Sequence, residues 1–166
     1  VSNAVVYPRV SLIVLGTVLI LAGCGTSDSS DRTPEESGSA LYEEMSTQMD
    51  GYQWAPNYSP DIDKVFDRVY GGTMIQNPES YSAMILGIFE QCSWTLEWLD
   101  AWNTDDEAAQ ERALKTMADV FQGSTDDPEA QTHLMQIVDL ASLGDPAPAQ
   151  QFVEANCLPV NWTVSS

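Results

Sequence analysis

Between residues 78 and 102 the apolar side chains Ile85, Ile88, Phe89, Cys92, Leu96 and Leu99 recur at i, i+3 and i+4, the spacing that lines one face of a helix. Asn77-Pro78-Glu79 marks its start: a capping side chain, a proline in the first turn, and an acid near the positive end of the helix dipole. Glu90, Ser93, Glu97 and Asp100 gather on a narrow polar side, while Trp94, Trp98 and Trp102 form a stripe of their own. A helix that is apolar around more than half its circumference needs neighbours on more than one side. The pattern therefore predicts a central helix near 78–102 with the rest of the domain packed around it.

The flanking segments supply those neighbours. Leu41, Tyr42, Met45 and Met49 predict a helix over 39–49, ended by Gly51. The stretch from Tyr52 to Pro60 holds Pro56, Pro60 and the rings of Tyr52, Trp54 and Tyr58, and reads as an ordered loop. Pro60-Asp61 opens a short helix with Ile62, Val65, Phe66, Val69 and Tyr70 on one side, and Gly71-Gly72 stops it. Thr104 to Glu107 has capping-box spacing and leads a helix with Ala109, Ala113, Met117, Val120 and Phe121 inward, ending near Gly123. Asp127-Pro128-Glu129 starts a further helix with Leu134, Ile137, Val138 and Ala141, closed by Gly144-Asp145-Pro146. A last helix over 147–156 carries Phe152 and Val153 and delivers Cys157; residues 158–166 read as extended or loose, with Trp162 the residue that could pin them. No segment shows strand alternation between turn signals. The expected fold is all-α, a small bundle of five to six helices whose sequential neighbours run antiparallel.

The amino-terminal pattern is different. From Val10 to Ala22 the chain is apolar apart from Ser11, Gly16 and Thr17, preceded by Arg9 and closed by Leu21-Ala22-Gly23-Cys24. That run is short for a spanning helix, which needs about 20 apolar residues, and suits the core of a signal peptide. The small pair before Cys24 resembles the lipobox of bacterial lipoprotein precursors. The resemblance covers residues 1–24 and implies cleavage between Gly23 and Cys24, with a diacylglyceryl group on Cys24. Gly25 follows in place of the Asp that would signal inner-membrane retention, so the implied location is the extracytoplasmic face of the cell membrane, or the outer membrane of a host that has one. The implied organisation is a signal peptide over 1–23, a lipid-anchored flexible tether over 24–39, and an acidic helical domain over 40–166. The tether expectation rests on composition, because 25–39 contains no large apolar residue to offset its ordering entropy.

Charge and cysteine count narrow the partners. All 25 acidic residues but only five of the six basic ones follow Cys24, for a whole-chain charge of −19. Such a surface repels phosphate backbones and excludes nucleic acid as a partner class. The membrane through the lipid on Cys24, an envelope protein, a cationic peptide and a cell-wall component remain as candidates. Three cysteines is an odd number for an exported chain. Lipidation of Cys24 leaves Cys92 and Cys157 as a pair able to bridge in an oxidising compartment.

Candidate chemistry is sparse. Trp94, Trp98 and Trp102 form the strongest candidate ligand or partner surface, since tryptophans at turn spacing stack on sugars or anchor helices; burial against two neighbours is the competing expectation. His133 is the only histidine and has no Cys beside it, which disfavours a zinc site. Asn103, Asp105 and Glu107 begin like a calcium loop, but Ala108 takes the place of the turn glycine and Leu114 that of the bidentate acid. No metal or cofactor is expected. No Gly-x-Ser-x-Gly elbow places a nucleophile. Glycoside hydrolysis needs only two carboxylates, for which Glu79, Glu90 and Glu97 are the candidates on the central helix. The sequence favours a lipid-anchored binding or assembly module at the cell envelope over an enzyme, the alternative being a carboxylate-dependent cell-wall hydrolase.

Overall fold

The computed structural model describes residues 32–157 and 162–163, and its organising element is α3 (Pro78–Asn103), 26 residues and about 39 Å long. Asn77 caps it, accepting from the Ser80 amide at 3.1 Å, and Pro78 fills the first turn. Around it lie α1 (Pro34–Gln48), α2 (Ile62–Val69), α4 (Glu107–Gln122), α5 (Pro128–Ser142) and α6 (Ala147–Asn156). A turn of 3-10 helix, Met49–Gly51, extends α1. The two-residue strands β1 (Ser59–Pro60) and β2 (Trp162–Thr163) pair antiparallel. The described residues thus form the expected all-α bundle around a central helix. Among them no helix is long and apolar enough to cross a membrane.

The two halves of α3 serve two cores. Toward its carboxyl end, Trp98 and Leu99 pack with Met117 and Phe121 of α4, Ile137 and Val138 of α5, and Val153 of α6. Toward its amino end, Ile85, Leu86 and Phe89 pack with Leu41 and Met45 of α1 and Val65 of α2. Trp162 touches both clusters, its ring 5.7 Å from Phe89 and 6.1 Å from Tyr58. The expected bridge forms between Cys92 and Cys157, with Cα atoms 5.6 Å apart, and ties the end of α6 to the middle of α3.

Two helix starts depart from the apolar pattern. Helix α1 begins at Pro34, not near residue 39, because Thr33 and Glu36 form a capping box: Thr33 Oγ1 accepts from the Glu36 amide at 3.3 Å, and the Glu36 carboxylate accepts from the Thr33 amide at 2.8 Å. Residues 34–39, assigned by composition to the tether, are therefore helical. Ser37 and Gly38 are buried there. Ser37 Oγ donates to the Ile75 carbonyl at 3.2 Å and accepts from the Ile75 amide at 2.6 Å. A Cβ on Gly38 would lie 2.6 Å from the Tyr70 ring. These residues are small because a neighbouring segment passes close, not because the chain is loose.

The second departure is Thr104. It ends α3, its hydroxyl donating to the Asp100 carbonyl at 2.9 Å, while Asp106 caps α4 by accepting from the Ala109 amide at 3.0 Å. Between them Asp105 takes a left-handed backbone, φ 53°, a conformation that Asp tolerates better than most residues and that turns the chain back along α3. The expected signal peptide over 1–23, the expected cut between Gly23 and Cys24, and Cys24, the residue expected to carry lipid, lie outside the described residues.

Candidate functional site

The tryptophan stripe does not face solvent. Trp94 and Trp98 are 7% and 1% exposed, and Trp102 is half-buried against the same core. The Trp94 indole N–H donates to the Gln53 carbonyl at 2.5 Å, so the loop after α1 covers what the other helices do not. This corrects the expectation of a ligand or partner surface at Trp94, Trp98 and Trp102: the central helix is enclosed on both flanks of that stripe.

The polar side of α3 is what holds the loop. Glu90 accepts from the Gln53 amide at 2.6 Å and Ser93 Oγ from the Ala55 amide at 3.3 Å. Glu97 accepts from both the amide and the side chain of Asn57, at 3.3 and 3.1 Å. Tyr58 donates its hydroxyl to Asp100. These contacts climb α3 turn by turn, with a tight reversal at Pro56-Asn57 closed by the Tyr58 amide on the Ala55 carbonyl at 3.0 Å. Burial pushes the Tyr58 phenol above its ordinary value, helped by the hydrogen bond to Asp100 and the charges of Asp100 and Glu97. Burial also pushes the Glu90 carboxyl up, against the opposing hydrogen bond from Gln53. Of the three acids singled out as candidates for a hydrolytic pair, Glu90 and Glu97 fasten this loop, and Glu79 is exposed in the first turn of α3.

What the fold leaves open is a groove beside the loop. Helix α4 is shorter than α3, so its carboxyl end stops against the middle of α3 and leaves an opening of about 570 Å³ walled by Tyr52, Met84, Ile88, Glu90, Asp119 and Val120. A second opening of about 520 Å³ lies between α5 and α6, walled by His133, Leu134, Ile137, Pro148, Gln151 and Phe152. The two share Gln91 and Ser124. Ser124 Oγ is committed, donating to the Phe121 carbonyl at 2.8 Å. Gln91 is only 7% exposed, yet its side-chain amide has no hydrogen-bond partner among the described residues. Among the described residues no lysine or arginine lines either opening.

Sequence reasoning did not select Gln91. Its neighbours one turn away, Gly87, Ile88, Trp94 and Thr95, carry no charge, and a glutamine placed among them on a buried helix is the signal that identifies it. His133 is exposed on α5, and among the described residues no group of three or more His, Cys, Asp and Glu is placed to hold a metal ion. Compared with family models, curated proteins and solved structures, the chain matches none. The described residues form a small, disulfide-bridged, acidic helical bundle with two partly apolar openings that meet at Gln91.

Proposed function

We propose that this chain is a lipid-anchored, extracytoplasmic binding or assembly module of the cell envelope, held to the membrane by a diacylglyceryl group on Cys24. The observation that carries the reading is Leu21-Ala22-Gly23-Cys24 at the end of an apolar run. The disulfide adds support: with Cys92 and Cys157 joined to each other, Cys24 is the cysteine left over. Two or more acyl chains anchor stably where one exchanges, since each buried methylene contributes about 0.8 kcal/mol. Function then follows from location, because a domain held near a surface meets membrane-proximal partners at a high effective concentration. A hydrolytic reading has no geometric observation in its favour, since Glu90 and Glu97 accept hydrogen bonds from the loop they hold.

Metabolic labelling with a fatty-acid analogue, followed by mass spectrometry of the amino-terminal peptide, tests the anchor. Label on Cys24 with residues 1–23 removed is the expected outcome, and Cys24→Ser abolishes it. A native chain carrying a free Cys24 thiol and an uncut leader would overturn the proposal.

A further inference from the structure

We infer that the groove beside α3 receives a basic peptide segment of an envelope protein, with a peptide lysine or arginine beside Glu90 and Asp119, an apolar side chain between α5 and α6, and the Gln91 amide paired with the peptide backbone between them. This rests on the reading of the chain as a displayed binding module and names the chemistry of its partner.

Three observations select that occupant. The first is Gln91, with two donors and an acceptor at the junction of the two openings and no partner among the described residues. That amide lines both openings, and a peptide bond presents the N–H and C=O that complement it. The second is charge. Glu90 and Asp119 stand on the wall, no lysine or arginine among the described residues does, and the contact of Asp119 with Lys115 is a solvent-exposed one at 3.8 Å. A whole-chain charge of −19 adds long-range attraction for a cation and repulsion for an anion. The third is shape. The openings are apolar at Met84 and Ile88 on one side and at Leu134 and Phe152 on the other, and they meet at Gln91, so a linear ligand with alternating character engages both. Trp94 and Trp98 are buried in the core, and among the described residues no tryptophan lines either opening to stack on a cell-wall glycan, which turns the choice toward peptide.

The test uses the full chain, purified in a non-ionic detergent whether or not Cys24 carries lipid, and a fluorescein-labelled peptide Gly-Lys-Leu-Lys-Leu-Lys-Gly. Anisotropy in about 0.15 M salt should show saturable binding. Gln91→Leu should weaken it about tenfold, the worth of one paired hydrogen bond. The pair Glu90→Gln and Asp119→Asn should also weaken it and flatten its salt dependence, while Glu43→Gln with Glu111→Gln, two acids away from the groove, should leave it within about twofold. No saturation up to about 1 mM peptide, or equal weakening by the remote pair, overturns the inference and leaves only bulk charge attraction. A photo-crosslinking benzophenone in place of one leucine gives a readout that does not depend on the Gln91 variant folding: adducts on α5 or α6 support the groove, and adducts elsewhere refute it. Lipid labelling of Cys24 is a separate measurement, so failure of the anchor and failure of the groove are told apart.

Discussion

Replacing Cys92 and Cys157 together by alanine removes the one covalent link between the end of α6 and the middle of α3, and the size of the loss follows from the chain. The bridge spans a sequence separation of 65 residues. In the unfolded state a crosslink of that reach removes chain entropy equivalent to about 4 kcal/mol at 25 °C. A domain of this size is stable by about 5–15 kcal/mol, so the double variant should stay folded but lose a large share of its margin. Urea unfolding followed by far-ultraviolet circular dichroism measures it. With a slope of about 2 kcal/mol per molar, the midpoint should fall by roughly 2 M. The slope itself should rise, because the unlinked unfolded chain exposes more surface. Both cysteines are fully buried, so a reductant should reach the wild-type bond only when the domain opens, and reduction should accelerate as urea approaches the transition. A midpoint shift below about 0.5 M with an unchanged slope would refute the reasoning, since it would mean that the link does not restrain the unfolded chain.

Other substitutions probe the contacts that position the groove. Gly38→Ala gains about 1 kcal/mol of helix propensity but drives its methyl to within 2.6 Å of the Tyr70 ring, so it should lower the melting temperature; a rise would show that Tyr70 moves freely. Glu97→Ala removes both hydrogen bonds to Asn57 and should cost about 1–2 kcal/mol, with faster amide exchange at residues 53–58 as the local readout; unchanged exchange there would assign the loop's order to its rings. The Glu90 carboxyl is raised in the folded state, chiefly by burial, so the folded chain keeps a proton that the unfolded chain has lost. Its contribution to stability is therefore present at low pH and is lost as pH rises from the ordinary value of 4.5 through the folded value. Glu90→Gln keeps the acceptor for the Gln53 amide and removes the titration. The stability of wild type relative to this variant should fall as pH rises through that window, and a flat difference would place Glu90 in solvent.

What the sequence by itself determined is what depends on neighbours three or four residues away. The faces of α3, α4 and α5, their proline-assisted or acid-capped starts and the glycines that follow α4 and α5 are local properties, written in side-chain spacing and backbone hydrogen bonding. The cysteine count likewise pointed to the Cys92–Cys157 pair, because setting aside Cys24, on its resemblance to a lipobox cysteine, leaves two thiols to join. Even so, local signals were misassigned where two elements share them: Thr104 has the spacing of a cap for α4 but closes α3. The tertiary structure decided everything that depends on which distant segment arrives. The polar side of α3 looks solvent-facing in a helical projection, yet its acids and Ser93 accept hydrogen bonds from loop amides and the Tyr58 hydroxyl 37 to 42 residues away. Ser37 and Gly38 look like linker until Ile75 and Tyr70 are laid against them. Gln91 becomes a candidate only once α4 ends beside it and α6 crosses over. A buried polar or small residue is defined by its non-local partner, and periodicity along one chain carries no information about that partner.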